Sequence, residues 1–135
     1  KGYFVDTLLL CHLLQYSLDD VAQNRPALMG HVVENFVATE LLKNIAAHHN
    51  NINLCHFRTS DNKEVDFVLE QANGRLAAIE VKNREAITAA DFKGLEALQQ
   101  MTGDDFVCGV VLYSGQDVVP FGDGLWAVPL HNLWA

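Results

Sequence analysis

Glu64-Val65-Asp66-Phe67-Val68-Leu69-Glu70 and Leu76-Ala77-Ala78-Ile79-Glu80-Val81-Lys82, joined through Asn73-Gly74, decide how this chain folds. Both runs have the length and composition of strands, and Asn-Gly between two such runs is a strong hairpin signal. Residues two apart on a strand share a face, so Glu80 and Lys82 point one way while Ala77, Ile79 and Val81 point the other. Asp66 lies on the partner strand. Two carboxylates and an ammonium group are thereby expected at one spot on an otherwise apolar sheet.

The pattern extends outward from that hairpin. Ile52 to Arg58 alternates and reads as a preceding strand, with Ser60-Asp61-Asn62-Lys63 as the turn between the two. Residues 31–48 read as a helix, started by Gly30, in which Val33, Phe36, Val37, Glu40, Leu41, Asn44 and Ile45 follow the i, i+3, i+4 rule. Asn50-Asn51 and Asn53 break it. Residues 3–16 read as a short strand running into a buried helical turn, and residues 17–29 as a linker or frayed helix. Downstream, Thr88 caps a helix to about Met101, with Asp91 as its reach-back partner. Phe106 to Tyr113 is a near-continuous apolar run and reads as a buried strand. Ser114 to Gly124 reads as loop, Leu125 to Val128 as a last strand, and Leu130 to Trp134 as a short terminal helix. The order implies an α/β fold, a small mixed sheet flanked by helices. Residues 1–29 form an N-terminal linking segment and residues 30–135 the domain proper.

The chain has 135 residues, half of them hydrophobic, which suits one domain with a real core. No apolar run is long enough to cross a bilayer, and no order of segments marks a secretory signal, so a cytoplasmic protein without membrane contact is expected. The chain opens at Lys1 without Met and reads as a piece of a longer protein. Cys11, Cys55 and Cys108 are widely spaced, so buried, reduced thiols are expected rather than disulfides or zinc ligands. His48-His49 suit a helix end. No Gly-x-x-x-x-Gly-Lys-Ser/Thr is present, which excludes nucleotide hydrolysis by the P-loop route in this piece.

Net charge is −8, the opposite of the balance usual in a nucleic-acid binder. Yet six of the nine basic residues, Arg58, Lys63, Arg75, Lys82, Arg84 and Lys93, fall within residues 58–93, and none follows. Any nucleic-acid contact, with DNA foremost, should therefore lie around the motif strands, and the C-terminal third should face elsewhere. The alternative is that these charges are ordinary solvated ones, with Arg58 paired to Glu64.

Asp66 and Glu80 offer hard oxygen ligands, suited to Mg²⁺ or Mn²⁺ rather than zinc, and the backbone carbonyl of Val81 adds a third. Lys82 would orient water or stabilise charge growing on a phosphate. Glu34, on the preceding helix, would hold a water bound to the metal. The rival reading is a solvent-face pair of Glu80 and Lys82, which would contribute little. Ser60 and Ser114 have no His and Asp arranged as a triad. Trp126 and Trp134 read as core or interface residues, and with the apolar N-terminal segment they make a homo-oligomer the third reading.

Glu34, Asp66 and Glu80-x-Lys82, spread over helix–strand–strand–strand–helix–strand, resemble the PD-(D/E)XK nuclease superfamily, the restriction-endonuclease-like fold. Tyr3-Phe4-Val5-Asp6-Thr7, the run Gly30 to Leu41, Arg58-Thr59, Glu64-Val65-Asp66-Phe67 and Ile79-Glu80-Val81-Lys82 look more narrowly like one family. It is the C-terminal domain that follows an AAA-type ATPase module in many bacterial and archaeal proteins. The resemblance implies an αβββαβ core, Asp66 and Glu80 as metal ligands, Lys82 as the catalytic lysine and Glu34 as the helix acid. It also implies an upstream ATPase module, the part that would take ATP, as a partner. Val65 stands where the superfamily nominally has Pro, and Leu8-Leu9 where the closer family has Gly-Leu. The implied function is metal-dependent phosphodiester cleavage. The alternative is a non-catalytic nucleic-acid-binding or regulatory domain on the same fold.

Overall fold

A computed structural model describes residues 2–4, 6–49 and 51–134, the last without its side chain. The readings that involve Lys1, Val5, Asn50 and the Trp134 side chain lie outside the described residues. The chain divides into two compact units, residues 1–49 and 50–135.

In the first unit, Asp6 caps α1 (Thr7–Leu13), its Oδ1 accepting from the Leu8 and Leu9 amides at 2.8 and 3.1 Å. Ser17 caps α2 (Leu18–Asn24) by accepting from the Asp20 amide at 3.1 Å. The expected linker at residues 17–29 is thus α2 and the start of α3 (Pro26–Ala47). Gly30 does not begin that helix. Pro26 does, because its locked φ suits the first turn and its missing amide hydrogen is not needed there. Cys11, Val21 and Val32 form one buried cluster of this unit, with Leu10, Leu28 and Met29 against them.

The buried stripe of α3 is also displaced from the expected one. Val32, Asn35, Val37, Ala38, Thr39 and Leu41 are buried, whereas Asn44 is exposed and Val33, Phe36 and Glu40 are only half-buried. Asn35 is sheltered because its side chain accepts from the Phe4 amide at 2.7 Å and donates to Thr7 Oγ1 at 3.2 Å.

The second unit carries a six-stranded sheet of order β1-β2-β3-β4-β6-β5. Its strands are β1 (Ile52–Arg58), β2 (Glu64–Gln71), β3 (Leu76–Lys82), β4 (Phe106–Tyr113), β5 (Val119–Gly122) and β6 (Leu125–Pro129). β1, β2 and β3 form an antiparallel meander, and the hairpin at Asn73-Gly74 is made by Gly74 at φ 85°. The chain then crosses over through a 3-10 turn (Ala89–Phe92) and α4 (Lys93–Thr102), so that β4 lies parallel to β3 and β6 parallel to β4. β5 pairs antiparallel at the far edge and falls inside the stretch read as loop. From α3 to β4 the elements follow the expected αβββαβ order. The fold is a mixed α/β one.

α4 packs its Leu95 and Leu98 onto Val65, Val68, Leu76, Ala78, Val111 and Ala127 of the sheet, with Phe92 at the entry to the helix. Each fully buried side chain of this size contributes roughly 1.5–3 kcal/mol. Of the cysteines, all free, only Cys11 is buried; Cys108 is half-buried and Cys55, on the edge strand β1, is exposed. That corrects the expectation of three buried thiols. Among the described residues, no helix is long and apolar enough to cross a membrane.

Candidate active site

Val68 pairs with Ala78, and both belong to the core under α4. Two residues past Ala78, Glu80 lies on that same face, and hydrogen bonds rather than strict alternation join Asp66 to it. Regular pairing of β2 with β3 runs from Glu70 and Leu76 to Phe67 and Ile79. Beyond it, side chains take over the hydrogen bonding. The Asp66 amide donates to Glu80 Oε2 at 3.1 Å, and the Val81 amide donates to Asp66 Oδ2 at 2.9 Å. Each carboxylate is thus pinned by a backbone amide at or next to the other acid. Asp66 is 7% exposed and Glu80 9% exposed.

Lys82, one face-repeat past Glu80, donates from Nζ to Glu80 Oε1 at 2.8 Å. The pair is not the solvent-face ion pair of the rival reading, since the Glu80 side chain is 11% exposed and that of Lys82 32%. Burial pushes the Glu80 carboxyl up to about 7, with the Asp66 charge adding to the rise and Lys82 opposing it. Burial also works against the Lys82 ammonium, yet the hydrogen bond and charge of Glu80, then Asp66 and Asp91, leave it above its ordinary value. Two carboxylates crowded into a low-dielectric spot beside one lysine favour the arrival of a cation.

The donor set fits a hard divalent ion. Among the described residues no group of three or more His, Cys, Asp and Glu side chains converges. Two carboxylates, completed by a backbone carbonyl such as that of Val81 and by water, match the habit of Mg²⁺, which keeps several waters and takes one or two carboxylates.

Glu34 lies in the first unit, on α3. Its Oε1 accepts from the Tyr3 hydroxyl at 2.8 Å, and its Oε2 is 4.0 Å from His31 Nδ1. Arg58 takes the structural option, its Nε 3.2 Å from Glu64 Oε1 and its Nη2 donating to Asn62 Oδ1 at 2.8 Å.

The model of the family described as "Domain of unknown function (DUF4143)" matches residues 29–133. The chain belongs to that family. No curated protein matches this DUF4143 chain. Among solved structures it is similar to a chain of the refined half-complex from the tetradecameric assembly of Thermococcus gammatolerans McrB AAA+ hexamers with bound McrC. The TM-score is 0.53 at 13% identity, over 75% of this chain and 27% of that one, so the chain spans about a quarter of its neighbour. A second similarity is to the EndoMS–dsDNA2 complex, with TM-score 0.35 and 18% identity over 58% of this chain and 36% of that one. The first likeness concerns the fold.

Around the Asp66–Glu80–Lys82 cluster the DUF4143 fold adds two residues that the sequence reading had not joined to it. Asp91, read only as a capping partner, does accept from the Thr88 amide at 2.9 Å. It also forms an ion pair with Arg84 and reaches Lys82 through its charge. The available signal was the spacing, since Arg84 stands two residues past Lys82, as Lys82 stands past Glu80.

Proposed function

We propose that this domain cleaves phosphodiester bonds of nucleic acid, DNA foremost, using Mg²⁺ or Mn²⁺ held by Asp66, Glu80 and the Val81 carbonyl. One observation carries the reading: two buried carboxylates laced together by the Asp66 and Val81 amides, with an ammonium 2.8 Å from one of them. A divalent ion bound there supplies Lewis acidity toward phosphate and water.

The protein's own groups do the rest. The Val81 and Asp66 amides fix one oxygen of each carboxylate, so the acids are oriented before any ligand arrives. Lys82 holds a proton at Nζ. It is the donor placed to orient a water or to meet charge growing on a phosphate oxygen. Glu34 enters by resemblance alone, as the helix acid. Partnership with an AAA-type ATPase module of the same protein is part of this proposal, and the likeness to a chain of an AAA+ assembly supports it. A cytoplasmic setting belongs to the same reading.

The second reading is a non-catalytic nucleic-acid-binding or regulatory domain, which the net charge of −8 favours. Supercoiled, linear, branched and single-stranded DNA offered with Mg²⁺ or Mn²⁺ tests the first. Cleavage is expected, reduced by about a hundredfold or more in Asp66→Asn and in Lys82→Ala, the order usual when one electrostatic stabiliser is removed. Calorimetric titration with Mn²⁺ separates the two: binding that survives Asp66→Asn unchanged would remove the metal site and leave the regulatory reading.

A further inference from the structure

Arg84 and Asp91 form a lopsided pair. The Asp91 side chain is 6% exposed and that of Arg84 is 54% exposed. Asp91 is held from two sides, by Arg84 Nη2 at Oδ1 and by the Thr88 amide at Oδ2. A guanidinium carries five donors in a rigid planar fork. Only Nη2 meets an acceptor among the described residues, and the side chain as a whole is more than half exposed. The backbone beneath is anchored too, because the Arg84 carbonyl accepts from the Ser114 amide at 3.1 Å. Next to it, Ser114 Oγ donates to Asn83 Oδ1 at 3.2 Å. Arg84 is thus an exposed cation with an anchored backbone and one nitrogen held by a buried carboxylate, two residues past Lys82.

We propose that Arg84 anchors a backbone phosphate of the nucleic acid beside the Asp66–Glu80–Lys82 cluster, with Asp91 as the positioning residue that aims it. This rests on the nucleic-acid reading above and deepens it by naming the group that seats the substrate. In the metal-free cluster the Lys82 charge is offset by its partner Glu80, so little net positive charge is left there to draw in a phosphate. A bidentate fork is the side chain suited to a tetrahedral oxyanion, and a buried carboxylate behind it keeps the fork from swinging into solvent.

The test is binding of a labelled DNA duplex and a labelled single strand by fluorescence anisotropy, with and without Ca²⁺, across a salt series. Arg84→Gln should weaken binding several-fold and reduce the slope of log affinity against log salt by about one, the mark of one lost phosphate contact. Arg84→Lys should keep the slope and lose part of the affinity. Arg84→Gln leaves Asp91 buried without its cation, so the double variant Arg84→Gln/Asp91→Asn, which removes that charge, is run beside it. It should show the same reduced slope with a melting temperature near that of the unaltered chain. A purely structural pair would move the melting temperature and leave the slope alone. Unchanged slope and affinity in the double variant would overturn the inference while leaving the nuclease reading intact. Absence of any DNA binding by the unaltered chain would overturn both.

Discussion

Glu80 is where burial and charge conflict most sharply. Its carboxyl rises from an ordinary 4.5 to about 7, first through burial and then through Asp66, while Lys82 pulls the other way. Between those two values the folded, metal-free chain binds more protons at Glu80 than the unfolded chain does. Stability from this group is therefore greatest below about pH 4.5 and falls as pH rises through about 7. The full loss at alkaline pH is on the order of 3 kcal/mol. Urea unfolding in EDTA at about pH 5.5 and about pH 8 measures it. Glu80→Gln should flatten the difference between the two, and a slope identical to that of the unaltered chain would show that Glu80 is not its source. A saturating divalent cation should reduce the same loss, because it stabilises the ionised carboxylate.

At the scale of elements, the approach of α4 to β2 is set by a glycine. A Cβ on Gly94 would run into the backbone carbonyl of Glu64 and crowd Val65. Backbone cannot rotate away as a side chain can, so Gly94→Ala should destabilise by about 1–3 kcal/mol despite Ala being the better helix former. Thermal unfolding should fall by several degrees or more, and an unchanged midpoint would mean that the helix can lift off the strand freely. Much else at this scale was legible. The runs Leu76 to Lys82 and Phe106 to Tyr113 coincide with β3 and β4, because side-chain alternation and an unbroken apolar run leave a direct trace in sequence, although β4 is fully buried only toward its end and Val107 is exposed. β5 left none: Val119-Pro120-Phe121-Gly122 is short, exposed and proline-bearing, and it sits at the edge through pairing with β6 and the stacking of Phe121 on Phe92, contacts that no local pattern encodes. The α3 stripe was misplaced because burial of Asn35 depends on Phe4 and Thr7, contacts that no periodicity encodes. The candidate cluster divides the same way. Period two put Glu80 and Lys82 on one face and the hairpin set Asp66 across from them, but the amide-to-carboxylate lacing arises where regular pairing stops, and the Arg84–Asp91 pair needs the turn into α4.

On the scale of the whole molecule, charge governs how a polyanion can approach. The chain carries −8, and after Lys93 it has Glu96, Asp104, Asp105, Asp117 and Asp123 with no Lys or Arg. Even at the candidate site, Asp66, Glu80 and Asp91 outnumber Lys82 and Arg84. Above about pH 7, where Glu80 is ionised, the metal-free cluster is net anionic and repels phosphate; with a divalent ion bound, its sign reverses. Divalent cations ordinarily weaken protein–DNA binding, since they compete as counterions. Here the site term opposes that competition. At constant ionic strength, DNA affinity should therefore rise at least several-fold on going from EDTA to millimolar Ca²⁺, used in place of Mg²⁺ to slow cleavage. Asp66→Asn should abolish the rise while leaving affinity in EDTA equal or higher, because it removes a repelling charge as well as a ligand. A monotonic fall in affinity with added Ca²⁺ would mean that the two carboxylates are not where the cation acts. The acidic surface would then have to be explained by a protein partner rather than by a substrate drawn in through metal.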